Sequence, residues 1–252
     1  MKQYLQTKNS DVEWIGKIPE HWEIKRLKFS TNLITKKSDD SLDSLDYVGL
    51  ENIESNTTQL IDVNSQMKDS DAKLFEKHNV LFGKLRPYLA KVWKADFNGR
   101  CSNEFLVLKS TDYESDFLKF LLICDGSIKI IDSSTYGAKM PRAEWDFIGN
   151  MLFPITKKSE QKQISDFLDS KTKEIDSEIQ KCQKLVTFLQ EKRQSTINQA
   201  VTKGLDPSVP MKDSRIEWIG NVPEHWRINK IKHIAFTKGR VGWQGDRKST
   251  RL

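Results

Sequence analysis

The chain has 252 residues, of which 30% are charged and 37% hydrophobic, with a formal net charge of +6. That balance excludes a membrane protein or a low-complexity segment, and no apolar run of membrane length occurs. The mild basic excess tilts the choice of partner toward a polyanion without fixing it. Cys101, Cys124 and Cys182 are few, odd in number and lack any C-x-x-C spacing. This excludes a disulfide framework or a structural zinc site and points to reduced thiols in a cytoplasm.

Residues 1–9 are polar and read as loose. Glu13 to Trp22 packs two tryptophans, a glycine and a proline into a short stretch. It reads as an irregular loop clamped to a core, with Trp14 and Trp22 as anchors and His21 as a structural hydrogen-bonding residue. From Ile24 to Leu108 the signals are mainly β: Leu45 to Leu50, Val80 to Phe82, Leu89 to Trp93 and Phe105 to Leu108 are short apolar runs. Ser38 to Ser44 reads as a loop, Ser55 to Thr58 as a turn, and Lys68 to Lys77 as a short helix. Asp112 to Asp125 predicts a helix with Phe117, Phe120, Leu121 and Cys124 on one face. Asp132 to Pro141 reads as a loop and Phe147 to Pro154 as a closing strand. Strands and helices interleave without strict βαβ order, so the fold class is α+β: a globular unit with a mixed β-sheet and short helices, followed by one long helix.

Ser159 to Lys203 contains no Gly or Pro and repeats apolar residues along one face. Ile164, Leu168, Ile175, Ile179, Val186 and Leu189 form a seam spaced mostly by threes, fours and their sum, extended by Cys182, Ile197 and Ala200. Ser159, Glu160 and Gln161 suit a helix start, while Gly204, Pro207 and Pro210 suit its end. At 1.5 Å per residue the helix spans roughly 60–65 Å. So narrow a stripe on so long a helix calls for another helix.

The flanks of this helix repeat each other. Glu13, Trp14, Ile15, Gly16, Pro19, Glu20, His21 and Trp22 recur in register as Glu217, Trp218, Ile219, Gly220, Pro223, Glu224, His225 and Trp226. One unit is a globular segment plus the long helix, and a second begins near Ser214.

Two stretches interleave basic and aromatic residues. Phe82 to Lys91 offers Lys84, Arg86 and Lys91 as donors for phosphates or guanine edges and Tyr88 as a hydroxyl or stacking face. Ser134 to Arg142 offers Tyr136, Lys139 and Arg142, with Gly137 allowing close backbone approach. The same residues also fit a solvated charged face with both tyrosines in a core, and composition does not separate the two readings. Phosphate-loop, nucleophile-elbow, zinc-protease and dinucleotide signatures are all missing from the sequence, as is the Asn-Pro-Pro-aromatic box of an adenine methyltransferase. Glu23 and Lys25 match only the tail of a nuclease pattern, and the repeat copy has Arg227 and Asn229 there.

Taken together, these residues resemble the specificity (S) subunit of type I restriction-modification enzymes. The likeness rests on the duplicated Trp-Ile-Gly…Pro-Glu-His-Trp box and Val48 to Ile53. It also rests on Leu81 to Tyr88, Gly137 to Arg142, and Ser159, Glu160, Gln161 and Ile164. The resemblance implies two target recognition domains, each followed by a long helix. The helices pair antiparallel as a ruler, and each domain reads one half of a split double-stranded DNA site. It implies no catalysis and no cofactor in this chain. S-adenosylmethionine, ATP and Mg are expected on the partner modification (M) and restriction (R) subunits, in a bacterial or archaeal cytoplasm with no membrane contact. On this reading residues 1–156 are the first recognition domain and 157–203 the spacer helix. Residues 204–245 are a linker and the truncated start of a second recognition domain. Residues 246–252 read like translated sequencing-adapter DNA, a non-native tail on a gene fragment. The alternatives are a natural half-subunit acting as a homodimer, with self-association through the long helix, and a coiled-coil dimerisation protein whose basic loops are incidental.

Overall fold

In the computed structural model, which describes residues 4, 6–38, 45–63, 71–135 and 140–235, two units separate at Glu174 and Ile175. The first contains β1 (Thr7–Asn9), β2 (Lys17–Pro19), β3 (Glu23–Arg26), β4 (Thr31–Ile34), β5 (Tyr47–Val48), β6 (Lys73–Phe75), β7 (Val80–Gly83), β8 (Val92–Lys94), β9 (Gly99–Cys101) and β10 (Phe105–Ser110). Then follow α1 (Ser115–Ile123), α2 (Asp125–Ser133), α3 (Trp145–Asn150), β11 (Leu152–Ile155) and the start of α4 (Lys158–Lys203). The second holds the rest of α4, β12 (Met211–Asp213) and β13 (Asn221–Pro223).

The first unit is built on a four-stranded antiparallel sheet in the order β4-β10-β7-β8. Side chains alternate across a strand. Leu106 and Leu108 therefore join Val80, Phe82 and Val92 on one face, while Phe105 and Val107 join Leu81 and Trp93 on the other. Both faces are covered. The first packs on the helical layer through Phe117, Leu118, Leu122, Ile131 and Ile148. The second packs on a smaller sheet, β5-β9-β6, through Val48, Phe75 and Cys101. A strand buried on both faces reads as an unbroken apolar run, which is why β7 and β10 stand out in the sequence. The β5–β9 pair is parallel and the rest antiparallel, so the mixed α+β class holds.

Several elements differ from expectation. Lys73–Phe75, expected within a helix, is strand β6 against β9. Phe147 to Pro154, expected as one strand, is helix α3 followed by β11, which pairs with β3. The helix expected over Asp112 to Asp125 is α1, whose buried face is Phe117, Leu118 and Leu122, with Cys124 exposed. Asp132 and Ser133 end α2 instead of opening a loop. Part of the Ser38 to Ser44 loop lies outside the described residues.

The Trp-rich box is a tight hairpin, β1 on β2, with Asp11 and Gly16 in the left-handed region. Trp14 packs edge-on against Phe153 and Trp22 against Phe117, so both indoles anchor the core. His21 is a structural bond: its Nε2 lies 2.9 Å from Glu160 Oε2. Tyr4 donates its hydroxyl to Glu160 Oε1 at 2.6 Å, and the Thr156 hydroxyl donates to the same carboxylate. Gln161 is fully buried; it accepts from the Glu114 N–H and donates to the carbonyls of Thr156 and Asp112. Ile164 packs on the core, and Lys119 bridges Asp116 and Asp169. These contacts root the first turns of α4 in the globular unit.

The second unit repeats the box. β12 pairs with β13 in the register of β1 and β2. Arg215 and Gly220 take the left-handed angles of Asp11 and Gly16, and Ser214 caps Ile216 as Ser10 caps Val12. Burial differs. Leu27 is wholly buried whereas its counterpart Ile231 is 72% exposed, and Trp218 is 83% exposed. Along α4, Ile175, Ile179, Leu185, Val186, Phe188 and Leu189 are all exposed. Among the described residues, no helix is long and apolar enough to cross a membrane.

Candidate nucleic-acid interface

The two basic-aromatic stretches follow different elements. The first leaves β7; the second follows α2. Backbone pairing joins them. Leu85 and Arg142 form an isolated antiparallel bridge. Arg86 N–H donates to the Pro141 carbonyl at 2.8 Å, and Ala143 N–H to the Lys84 carbonyl at 2.9 Å. Lys84 N–H in turn donates to the Glu104 carbonyl at 2.8 Å. Lys84, Arg86 and Arg142 therefore sit on adjoining backbone at one end of the central sheet.

The turn between β7 and β8 carries backbone strain. Arg86 (φ 51°) and Ala90 (φ 46°) both adopt left-handed angles, bracketing a 3-10 turn over Pro87–Leu89. Such angles are uncommon outside glycine and gather where a loop's shape serves a function. Pro87 and Ala90 are buried, while Arg86 and Tyr88 point outward. α2 lies beside this turn and leads straight into the second loop.

The remaining side chains divide by what they touch. Lys91 is turned inward: its ammonium donates to the carbonyls of Leu50 and Ile53 at 2.7 and 2.6 Å. Burial holds its pKa below the ordinary lysine value. It pins the 3-10 turn Leu50–Asn52 beneath the loop. Arg142 makes a side-on fork to Glu104, Nε to Oε2 and Nη2 to Oε1, both at 3.0 Å. Tyr136, Gly137 and Lys139 lie outside the described residues. Sequence reasoning missed two members of this surface. Lys73, on β6, donates to the carbonyls of Asn103 and Phe105. Burial and then the nearby Lys84 charge lower its pKa. Glu104 is the other. Lys73 falls in a stretch expected as a helix, and Glu104 carries the opposite charge; only the β6–β9–β10 geometry brings them here.

This surface offers cationic and hydroxyl donors on a rigid sheet end. Among the described residues no group of histidines, cysteines or carboxylates could hold a metal ion.

Residues 19–186 match the family described as the type I restriction modification DNA specificity domain. No curated protein matches the chain significantly. The fold is similar to the crystal structure of the HsdS subunit from Thermoanaerobacter tengcongensis, with TM-score 0.59 and 20% identity over 77% of this chain and 52% of that one. It is equally similar, at TM-score 0.59 and 18% identity, to a structure solved to explain complex assembly and conformational transition of the type I R-M system. There too it covers 77% of this chain and 52% of the other. The chain thus spans about half the length of the solved structures it matches. The family match covers more than half of the residues, and the chain belongs to the type I restriction modification DNA specificity family.

Proposed function

We propose that this chain reads one half of a bipartite double-stranded DNA target for a type I restriction-modification complex, and performs no chemistry itself. Residues 1–156 are the recognition domain, 157–203 the spacer helix, and 204–245 the beginning of a second recognition domain. Modification and restriction subunits dock on it and bring S-adenosylmethionine, ATP and Mg. Lys84, Arg86, Tyr88, Tyr136, Gly137, Lys139 and Arg142 face the DNA, while Lys91 holds the loop beneath them.

The observation that supports this reading is the backbone pairing at Leu85 and Arg142, which brings Arg142 beside Lys84 and Arg86 from a distant part of the sequence. Cations on a groove-facing loop release counterions from the phosphates they neutralise. An Arg86→Ala, Lys139→Ala double variant is expected to weaken binding to every duplex and to lower the slope of log affinity against log salt by about 2. Fluorescence anisotropy from low to physiological salt measures both. Unchanged affinity and slope would remove this surface from the interface.

A second reading concerns assembly. The exposed seam of α4, from Ile175 to Leu189, supports self-association through the helix.

A further inference from the structure

We propose that Glu104 positions the Arg142 guanidinium for reading a base edge, so that this pair sets sequence preference while Lys84 and Arg86 supply phosphate contacts. The inference rests on the DNA-reading function above.

Both partners are anchored. Glu104 follows Ser102, whose hydroxyl accepts from the Glu104 N–H, and precedes wholly buried Phe105. Arg142 lies between Pro141, which accepts from Arg86, and wholly buried Ala143. With both backbones fixed, the two hydrogen bonds at 3.0 Å define the guanidinium plane. The bonds use the Nε and one Nη2 hydrogen. A guanidinium has five N–H donors, so the end formed by Nη1 and the outer Nη2 hydrogen stays available. That end is the fork that fits O6 and N7 of guanine in a major groove. The side chain is held before DNA arrives, so less conformational freedom is lost on binding.

Electrostatics favours a base over a phosphate. The Glu104 carboxylate offsets the Arg142 charge and repels a phosphate brought against the pair. A neutral base edge meets no such repulsion. Lys84 and Arg86, on the adjoining turn, carry the phosphate attraction instead. Lys73 is held by the carbonyls on either side of Glu104.

The test uses the full chain and a library of randomised duplexes, sequencing the bound fraction. The parent is expected to show a preference at one base pair that Arg142→Ala abolishes. Glu104→Gln is expected to lower that preference on the order of tenfold, the scale of one bidentate base contact, while tightening binding to unrelated DNA. The double variant should match Arg142→Ala. If Glu104→Gln tightens binding to all sequences equally and leaves the preference intact, Glu104 acts only as a charge, and the positioning role is overturned while DNA reading stands. If no duplex is enriched by the parent chain, DNA reading itself fails. A measurement without DNA checks the geometry: the Arg142 Nε–H signal in a proton–nitrogen spectrum should exchange slowly in the parent and be lost in Glu104→Gln. An identical signal in both proteins also overturns the proposal.

Discussion

Glu160 shows how one side chain links the Trp-rich box to the long helix. Burial alone would raise its pKa, but the hydrogen bonds from Thr156, Tyr4 and His21 outweigh it and hold the carboxyl at about 2. The same bond, with burial, pushes the Tyr4 hydroxyl up to about 12. The third residue of a helix is also where a negative charge meets unsatisfied N–H groups. A carboxyl whose folded pKa is depressed stabilises the fold above its unfolded pKa and loses that contribution as pH falls toward the folded value. Glu160→Gln should therefore cost about 2 kcal/mol at pH 7. The difference from the parent should shrink between pH 5 and pH 2 as the parent itself takes up the proton. Urea unfolding at pH 7 and pH 3 measures it, and an equal cost at both would show that the charge is irrelevant. Gln161, next along the chain, is fully buried with both ends of its amide bonded. Gln161→Leu would leave the Glu114 N–H and the Thr156 carbonyl without that partner. The expected cost is about 2–4 kcal/mol, read as a lower urea midpoint at unchanged slope; a cost below about 0.5 kcal/mol, the level of an indifferent surface site, would contradict this role.

At the scale of elements, what was legible follows from how each is buried. β7 and β10 were visible because both faces are apolar, and α4 because a long periodic stripe admits no other reading. Of the short helices, α1 was legible from its apolar face, but α2 and α3 were not. α3 spans only Trp145–Asn150, too short for a 3.6-residue period to separate from a strand. α2 contains Gly126, a poor helix former that weakens any local helix signal. In the fold that glycine admits the Trp14 ring; a Cβ there would lie 2.7 Å from Trp14 Cε3. Its place in a helix depends on a contact over 100 residues away in sequence, which local pattern does not contain. The candidate surface divides in the same way. Lys84, Arg86 and Arg142 announced themselves by composition. Lys73 and Glu104 join them only through strand pairing, and Lys91 leaves them because its stem reaches inward to two carbonyls.

Over the whole molecule, the same box folds the same way twice, yet Leu27 is buried and Ile231 exposed. The hairpin backbone is therefore set locally, by the left-handed residues and the Ser10 and Ser214 caps, while burial is set by what each copy packs against. α4 obeys the same rule. Its first turns are covered by the globular unit, but Ile175, Ile179, Val186 and Leu189 repeat along an exposed face with Leu185 and Phe188 widening it. A stripe of that length favours association, and identical chains close most simply about a twofold axis. Each seam residue buried in such a pair contributes roughly 1.5–3 kcal/mol. We expect the chain to be a dimer at micromolar concentration, and Ile179→Asp with Leu189→Asp to give a monomer of unchanged helical content. Two identical recognition domains would then prefer a palindromic split site, with half-sites one helical turn apart lying about 34–36 Å centre to centre. Light scattering decides the first point, since a strict monomer of the parent chain would refute association through this seam. Duplexes carrying two copies of a selected half-site, inverted or direct at varied spacing, decide the second: equal affinity for both arrangements would show that the helix imposes no twofold geometry on the DNA.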